Sequence, residues 1–467
     1  MNNKMMKWNW KRIAAAGMAV SLAGAALSGC AGKADAAKTE ETAAKTENTG
    51  AVRTKASDGG ESVTLKFWKA SANDERNAWW EETIAKFEAE NPGIEIEYLG
   101  VAGDDSAFNQ KLDMAFAAGE MPDVISTYCE ANYITRELLE PLDSYFENWE
   151  SRDQIPEVYL EQVRAMDYAS EDKKLYTIPF GGNVQCMYAR PDILKESGLD
   201  IPGTWDEFFT AAETATDKEQ GLYGYVIRGG SGGANALEML MYSYSGITDF
   251  FIDDKCTLND PRNVEFVERF LGNYGVLTSE DDINKGWPEM AAQYQSGKAV
   301  LMMHNLGSAQ ANYEAFKNDE NVIKAVPLPK GVDGKLTLPT SKPAGNMITA
   351  ASEHKEEAWK FVSWLAEKEQ ASAYEQMMGN LPVNSEAIKD SWVQDISYMK
   401  MGADAYTSPD SQFCSFPYYL PNFTNIETNY AMPNMQKVLL GQMEVQEFMD
   451  GWAAELQKEY DKVVLGK

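Results

Sequence analysis

Val63-Thr-Leu-Lys-Phe-Trp68 alternates apolar and polar positions and carries β-branched residues, which predicts a strand ending at Trp68. The polar stretch Lys69 to Asn77 follows, and then Trp80, Ile84 and Phe87 fall at i, i+4 and i+7 on one face of a helix that Asn91-Pro92-Gly93 stops. Ile94-Glu-Ile-Glu-Tyr98 alternates again as a second strand. Phe108, Leu112 and Phe116 mark a second helix, closed by Gly119, and Met121-Pro122-Asp123 leads into a third strand, Val124 to Thr127. Strand, helix, strand, helix, strand is the order that builds a parallel sheet with helices packed on it, so the fold class is α/β. In such sheets ligands sit at the carboxyl ends of the strands, here near Trp68 and Thr127–Tyr128.

Toward the C-terminus, Leu175-Tyr-Thr-Ile-Pro-Phe180 reads as an apolar strand running into the flexible turn Gly181-Gly182-Asn183. Ser296-Gly297-Lys298 opens the buried strand Ala299 to Met303, and Glu356 to Met377 reads as one long amphipathic helix with Ala358, Phe361, Val362 and Leu365 on one face. No internal repeat is visible. The roughly 400 residues beyond position 60 exceed what one core usually supports, so two domains are expected.

Toward the N-terminus the pattern stops. Lys4, Lys7, Lys11 and Arg12 precede an uncharged run from Ile13 to Ala26, which ends in Leu27-Ser28-Gly29-Cys30. The run has the length of a signal-peptide core and is shorter than the ~20 residues of a spanning helix. Small residues before the cut suit a peptidase groove, and the Cys30 thiol is the group that takes a diacylglycerol. Residues 1–29 therefore read as a signal peptide and Cys30 as the lipidation site. From Ala31 to Gly60 there is no aromatic residue, and Ala, Lys, Thr, Glu and Gly dominate. Such a composition buries too little to repay ordering, so 30–60 reads as a lipidated tether with a reach of about 30 Å.

The formal net charge is −30, and removing the four cations of the signal leaves −34. That argues against nucleic acid as a partner and against adsorption to anionic lipid, so membrane contact is expected through the lipid only. Cys129, Cys186, Cys256 and Cys414 are widely spaced, without a CxxC, so no metal is expected; disulfides and buried free thiols both remain open.

Six segments in order resemble one family: Ala118-Gly-Glu-Met-Pro-Asp-Val124; Tyr176-Thr-Ile-Pro179; Met187-Tyr-Ala-Arg-Pro-Asp-Ile193; Thr204-Trp-Asp-Glu-Phe208; Gly297-Lys298-Ala299; and Ala358-Trp-Lys-Phe-Val362. The body from Val63 onward is similar to the extracellular solute-binding proteins of carbohydrate ABC transporters, the group that contains maltose-binding protein. The resemblance implies a periplasmic-binding-protein-like class II fold, two α/β lobes with a hinge and an interlobe cleft. It places crossings near Phe180, Val326 to Leu328, and Leu381 to Val383, giving lobe 1 as 61–180 plus 328–382 and lobe 2 as 181–327 plus 383–467. It further implies a monomer without cofactors, held on the outer face of the cytoplasmic membrane, that carries a carbohydrate to ABC permease subunits. Two departures stand out. Ala189-Arg190 replaces the family's usual Asn-Lys, and Asn305-Leu306-Gly307-Ser308-Ala309 lacks the Trp often found there, which puts the usual sugar in doubt.

A sugar shows hydroxyls at its rim and C–H groups on its faces, so a site needs aromatic platforms and planar polar groups. Trp68 either stacks on a ring or belongs to the core. Asn73, Glu75 and Arg76 either bind hydroxyls or begin the next helix. Thr127 and Tyr128 end a strand; Asn183 follows the Gly-Gly turn at a crossing; Asn305 and Asn346 follow a buried strand and Pro343-Ala-Gly345; Trp287 and Tyr418 stack on ligand or roof a core. Gly229-Gly-Ser231-Gly-Gly233 fits the G-x-S-x-G of hydrolases, but only His304 and His354 exist to serve as base, and neither lies in a loop resembling the hydrolase pattern, so a flexible turn is the better reading. The leading expectation is a non-catalytic sugar receptor. The alternatives are the same receptor for a polyol phosphate, peptide or polyamine, a surface hydrolase using Ser231, and an adhesion lipoprotein.

Overall fold

Asn73 starts the first helix: its side chain accepts a hydrogen bond from the Arg76 amide at 2.8 Å, and Asp74 and Glu75 lie at the positive end of the helix dipole. The helix, Asp74–Glu90, buries Trp80, Thr83, Ile84 and Phe87, and the chain turns through Gly93 at φ +106°. The computed structural model from which these contacts are read describes residues 62–467 apart from residue 104; the expected signal, Cys30 and tether lie outside the described residues.

Strand Val63–Ala72 pairs in parallel with Ile94–Ala102 on one side, Val63 opposite Ile94, and with Val124–Tyr128 on the other, Phe67 opposite Val124. Two later segments complete this sheet. Ala344–Ile348 pairs antiparallel with Val124–Tyr128, and Ile178–Pro179 lies beyond it at the edge. Leu65, Phe67, Trp80, Phe87 and Phe361 close the core on one face, with the Phe67 and Phe361 rings 5.1 Å apart and edge-on. Each aromatic buried in this way contributes roughly 1.5–3 kcal/mol.

The second sheet runs in the order Lys324–Pro327, Gln185–Ala189, Ala299–Asn305, Tyr223–Tyr225. Helix Trp205–Ala215 packs on it and begins with a reciprocal cap, Thr204 Oγ1 accepting from the Glu207 amide and the Glu207 carboxylate accepting from the Thr204 amide. Phe208, Tyr225, Phe266 and Trp452 fill the core beneath. These two mixed sheets with separate cores are the two α/β lobes of a class II binding-protein fold.

The chain passes between the sheets at three places. Gly181–Gly182 leaves the first sheet and pairs antiparallel with Leu381–Pro382 before Gln185 enters the second. The third passage lies between Pro327 and Ala344; along it Leu336–Pro339 pairs in parallel with Ser411–Cys414 and Leu328 joins the core of the second sheet. The long helix expected over 356–377 is two helices, Lys355–Ala366 and Lys368–Met378. Glu367 separates them in an extended conformation because its carboxylate accepts from Trp149 Nε1 at 2.8 Å and from Ser151 Oγ at 2.7 Å, contacts that periodicity does not register. Cys129, Cys186, Cys256 and Cys414 are all free thiols. Among the described residues no helix is long and apolar enough to cross a membrane, and no group of three or more His, Cys, Asp and Glu side chains converges on a metal position.

Candidate functional site

The carboxyl ends of strands Val63–Ala72 and Val124–Tyr128 open onto the hinge, and a cleft of about 270 Å³ lies there. From the first lobe it takes Lys69, Arg76, Thr127 and Tyr128; from the crossings, Phe180, Gly181, Asn183 and Lys342; and from helix Lys368–Met378 and the turn after it, Tyr374, Glu375 and Asn380. Its volume lies just below the ~300–1,000 Å³ usual for small-molecule sites.

Each wall residue is held by local structure. Ser71 adopts φ +56°, unusual for a residue with a side chain, and Arg76 Nη1 donates to its carbonyl at 2.7 Å, drawing the guanidinium back over the strand end. Lys342 Nζ donates to Glu130 at 2.5 Å and lies 5.6 Å from the centre of the Tyr128 ring. Lys69, only 8% exposed, places its Nζ 5.6 Å from the Phe180 ring centre. Three cations thus line the cleft of a strongly acidic protein.

The exception is Glu375. It is 1% exposed, and among the described residues no donor closes a hydrogen bond of normal geometry onto either carboxylate oxygen, the Asn380 side chain approaching without reaching one; burial pushes its pKa up to about 8, against smaller downward pulls from that Asn380 contact and the Lys69 ammonium. The side-chain oxygen of Asn183 is likewise buried without a partner, while its backbone carbonyl accepts from Ser341 Oγ at 3.1 Å. Unpartnered polar atoms beside the Tyr128, Phe180 and Tyr374 rings are the two ingredients a sugar requires.

Of the residues singled out in the sequence, Arg76, Thr127, Tyr128 and Asn183 meet in this cleft. Trp68 faces the other side of its strand, packed toward Ala70, Phe108 and Ile125, with Lys111 Nζ 5.0 Å from its ring; strand alternation gives the cleft to Lys69 instead. Asn73 is spent as a helix cap, and Glu75 stands exposed on the first turn. Asn346 lies inside the first sheet, opposite Ser126 and Ile178, and its buried side-chain oxygen lacks a partner. Asn305 ends its strand next to the site: a methyl at Gly307 would touch both its side-chain oxygen, at 3.2 Å, and that of Asn380, at 3.4 Å. Trp287 is 51% exposed and stacks on His304, ring centres 6.0 Å apart. Tyr418 lines a second cavity of about 180 Å³ with Gln162, Met166, Phe250, Phe416 and Tyr419.

Lys69, Lys342, Tyr374, Glu375 and Asn380 are absent from the sequence reading. One signal was present: Ala371, Tyr374 and Glu375 share the buried face of their helix, so a carboxylate stands where the period demands an apolar residue. Ser231 and His304 are both held by other partners. The Ser231 carbonyl accepts from Arg228 Nε at 2.7 Å, and the His304 imidazole is engaged with Ser308 Oγ at 2.8 Å.

The profile of the family described as bacterial extracellular solute-binding protein matches residues 70–372. The multiple sugar-binding protein of Streptococcus mutans is 24% identical over 371 residues, 72% of this chain and 79% of that protein. Among solved structures, an ABC transporter solute-binding protein of Thermotoga lettingae bound with α-D-tagatose superposes with a TM-score of 0.67 at 20% identity, covering 85% of this chain and all of that one. The sugar-binding protein MalE of Xanthomonas citri superposes with a TM-score of 0.70 at 17% identity, covering 86% and 98%.

Proposed function

The chain belongs to the bacterial extracellular solute-binding proteins of ABC transporters, and from that premise we propose that it captures a mono- or oligosaccharide in the cleft at the hinge and delivers it to a membrane permease. The observation that carries this reading is the pairing, in one small cleft, of aromatic rings with buried polar atoms that lack partners: Tyr128, Phe180 and Tyr374 beside Glu375 and Asn183. The sugar-binding relative and the tagatose-bound neighbour support the same ligand class. Binding requires no chemistry here. A ligand that touches both lobes favours the closed arrangement by its higher affinity for it. Cys30, carrying diacylglycerol, and a tether over 30–60 would hold a monomeric receptor at the outer face of the membrane.

The same receptor role for a non-sugar solute is the second reading, and Lys69, Arg76 and Lys342 favour an anionic one such as a polyol phosphate. Against it, the buried Glu375 on the same wall would have to keep its proton beside the anion.

Thermal melting of the protein lacking residues 1–61 separates these readings. A sugar present at ~100 Kd stabilises by about 2.7 kcal/mol, a shift of a few degrees. A panel of mono- and oligosaccharides that leaves the melting temperature unmoved, while a polyol phosphate raises it, replaces the first reading by the second. The anchor has its own test: metabolic labelling with a fatty acid is expected to mark the full chain and to leave Cys30→Ala unlabelled.

A further inference from the structure

Glu375 is built into the hinge in a way that packing does not explain. Its helix holds it against the crossing strand, where a methyl on Gly181 would fall 2.3 Å from its carboxyl carbon, and it borders the cleft on the other side. A carboxyl group with no donor satisfying its oxygens is costly to bury, and the cost is removed when something entering the cleft supplies donors. We infer that Glu375 is a direct ligand contact that accepts hydrogen bonds from two adjacent hydroxyls of a neutral polyol. This rests on the sugar-receptor reading and names the chemistry at one end of the site.

The surroundings decide between possible donors. Lys69 and Arg76 line the same wall, so an ammonium group would enter against two cations, whereas hydroxyls carry no charge. The other titratable groups facing Glu375 are phenols: Tyr374 beside it on its own helix, and Tyr159, whose oxygen approaches the adjacent Gly182. Burial raises both phenols from their ordinary values, so they remain neutral through the working range. Lys342 and Tyr128, further along the lining, already contact one another.

Direct contact has a measurable consequence. In the empty cleft Glu375, pushed up to about 8, holds its proton at pH 7. Hydroxyl donors favour the carboxylate, so the bound pKa is lower and binding releases that proton to the buffer. Affinity therefore rises with pH up to about 8 and levels off above it.

The test uses the sugar that gives the largest melting shift in the panel described above, with spermidine as the cationic probe. Calorimetric titration at pH 7 in phosphate and in Tris, which differ in ionisation enthalpy, is expected to show release of close to one proton per sugar bound. Affinity is expected to climb between pH 6 and 8. Glu375→Gln should weaken binding about tenfold at pH 8.5 and abolish both the proton release and the pH dependence. The wild-type calorimetry stands even if that variant folds poorly. Sugar binding without proton release, or equal affinity in Glu375→Gln, overturns the inference while leaving the sugar reading intact. Tight spermidine binding overturns the neutral-polyol assignment. No response to any sugar removes the sugar reading and this inference with it.

Discussion

Gly181 and Glu375 share one space: the carboxyl oxygens of Glu375 lie 2.3 and 2.5 Å from where a side chain on Gly181 would begin. The obstacle is the far end of a side chain that can swing aside. Gly181→Ala is therefore expected to fold, with a stability loss below about 1 kcal/mol, yet to bind sugar more weakly because the carboxylate is displaced. Gly224 gives the contrast. A methyl there meets the backbone of Ala212 at 2.4 Å, which cannot yield, so Gly224→Ala should cost about 1–3 kcal/mol in urea unfolding. Equal stability losses in the two variants would refute the distinction.

Glu238 lies fully buried beside Glu427, and the Glu427 carboxylate also accepts from Asn235 at 2.9 Å. Burial first, and the neighbouring carboxylate second, hold Glu238 well above the usual carboxylate range. The unfolded chain loses its proton near pH ~4.3 while the folded protein keeps it, so this stability is fully present below that pH and declines as pH rises. Glu238→Gln keeps the size and polarity of the side chain and removes its titration. Its melting temperature should fall less than the wild type's between pH 5 and 8. A residual slope is expected, because Glu427 and Glu375, both raised by burial, titrate in the same sense.

His304 gives the opposite sign. Burial, helped by the Arg228 charge, lowers it to about 4. The unfolded side chain titrates near ~6.5, so stability is fully present above that pH and is lost as pH falls toward 4. Urea midpoints measured at pH 7 and pH 4.5 should differ less in His304→Gln than in the wild type.

Cys129, Cys186 and Cys414 are buried, Cys256 is partly buried, and burial pushes Cys129, Cys186 and Cys256 up to about 12. In the protein lacking residues 1–61, a reductant should leave the melting curve unchanged. Thiol reagents at pH 7 should modify these cysteines slowly in the native state and all four after denaturation, which mass spectrometry counts directly.

The first lobe was legible because its strands and helices follow one another in the chain. Leu65 and Phe67 alternate, and Trp80, Ile84 and Phe87 keep helical spacing. The site was legible only where it coincides with strand ends and the Gly-Gly turn, hence Thr127, Tyr128 and Asn183. Arg76 belongs there because the kink at Ser71 turns the helix start toward the cleft, a backbone feature with no sequence period. Lys69 lines the cleft where Trp68 was expected because one residue of register reverses the face of a strand. Lys342 and Glu375 come from segments far along the chain, and only the folded hinge brings them together.

Ala344–Ile348 lies between Val124–Tyr128 and Ile178–Pro179 in the first sheet. A chain growing from its N-terminus has both neighbours long before it has this strand. The gap in the sheet stays open until the ribosome has passed residue 348, and helix Lys355–Ala366, which covers that strand, comes later still. The first sheet cannot be finished by local contacts, so its completion waits on a distant partner, and non-local pairing of this kind slows folding. Until that strand has been made, the nascent chain holds no completed first sheet that would have to be unfolded.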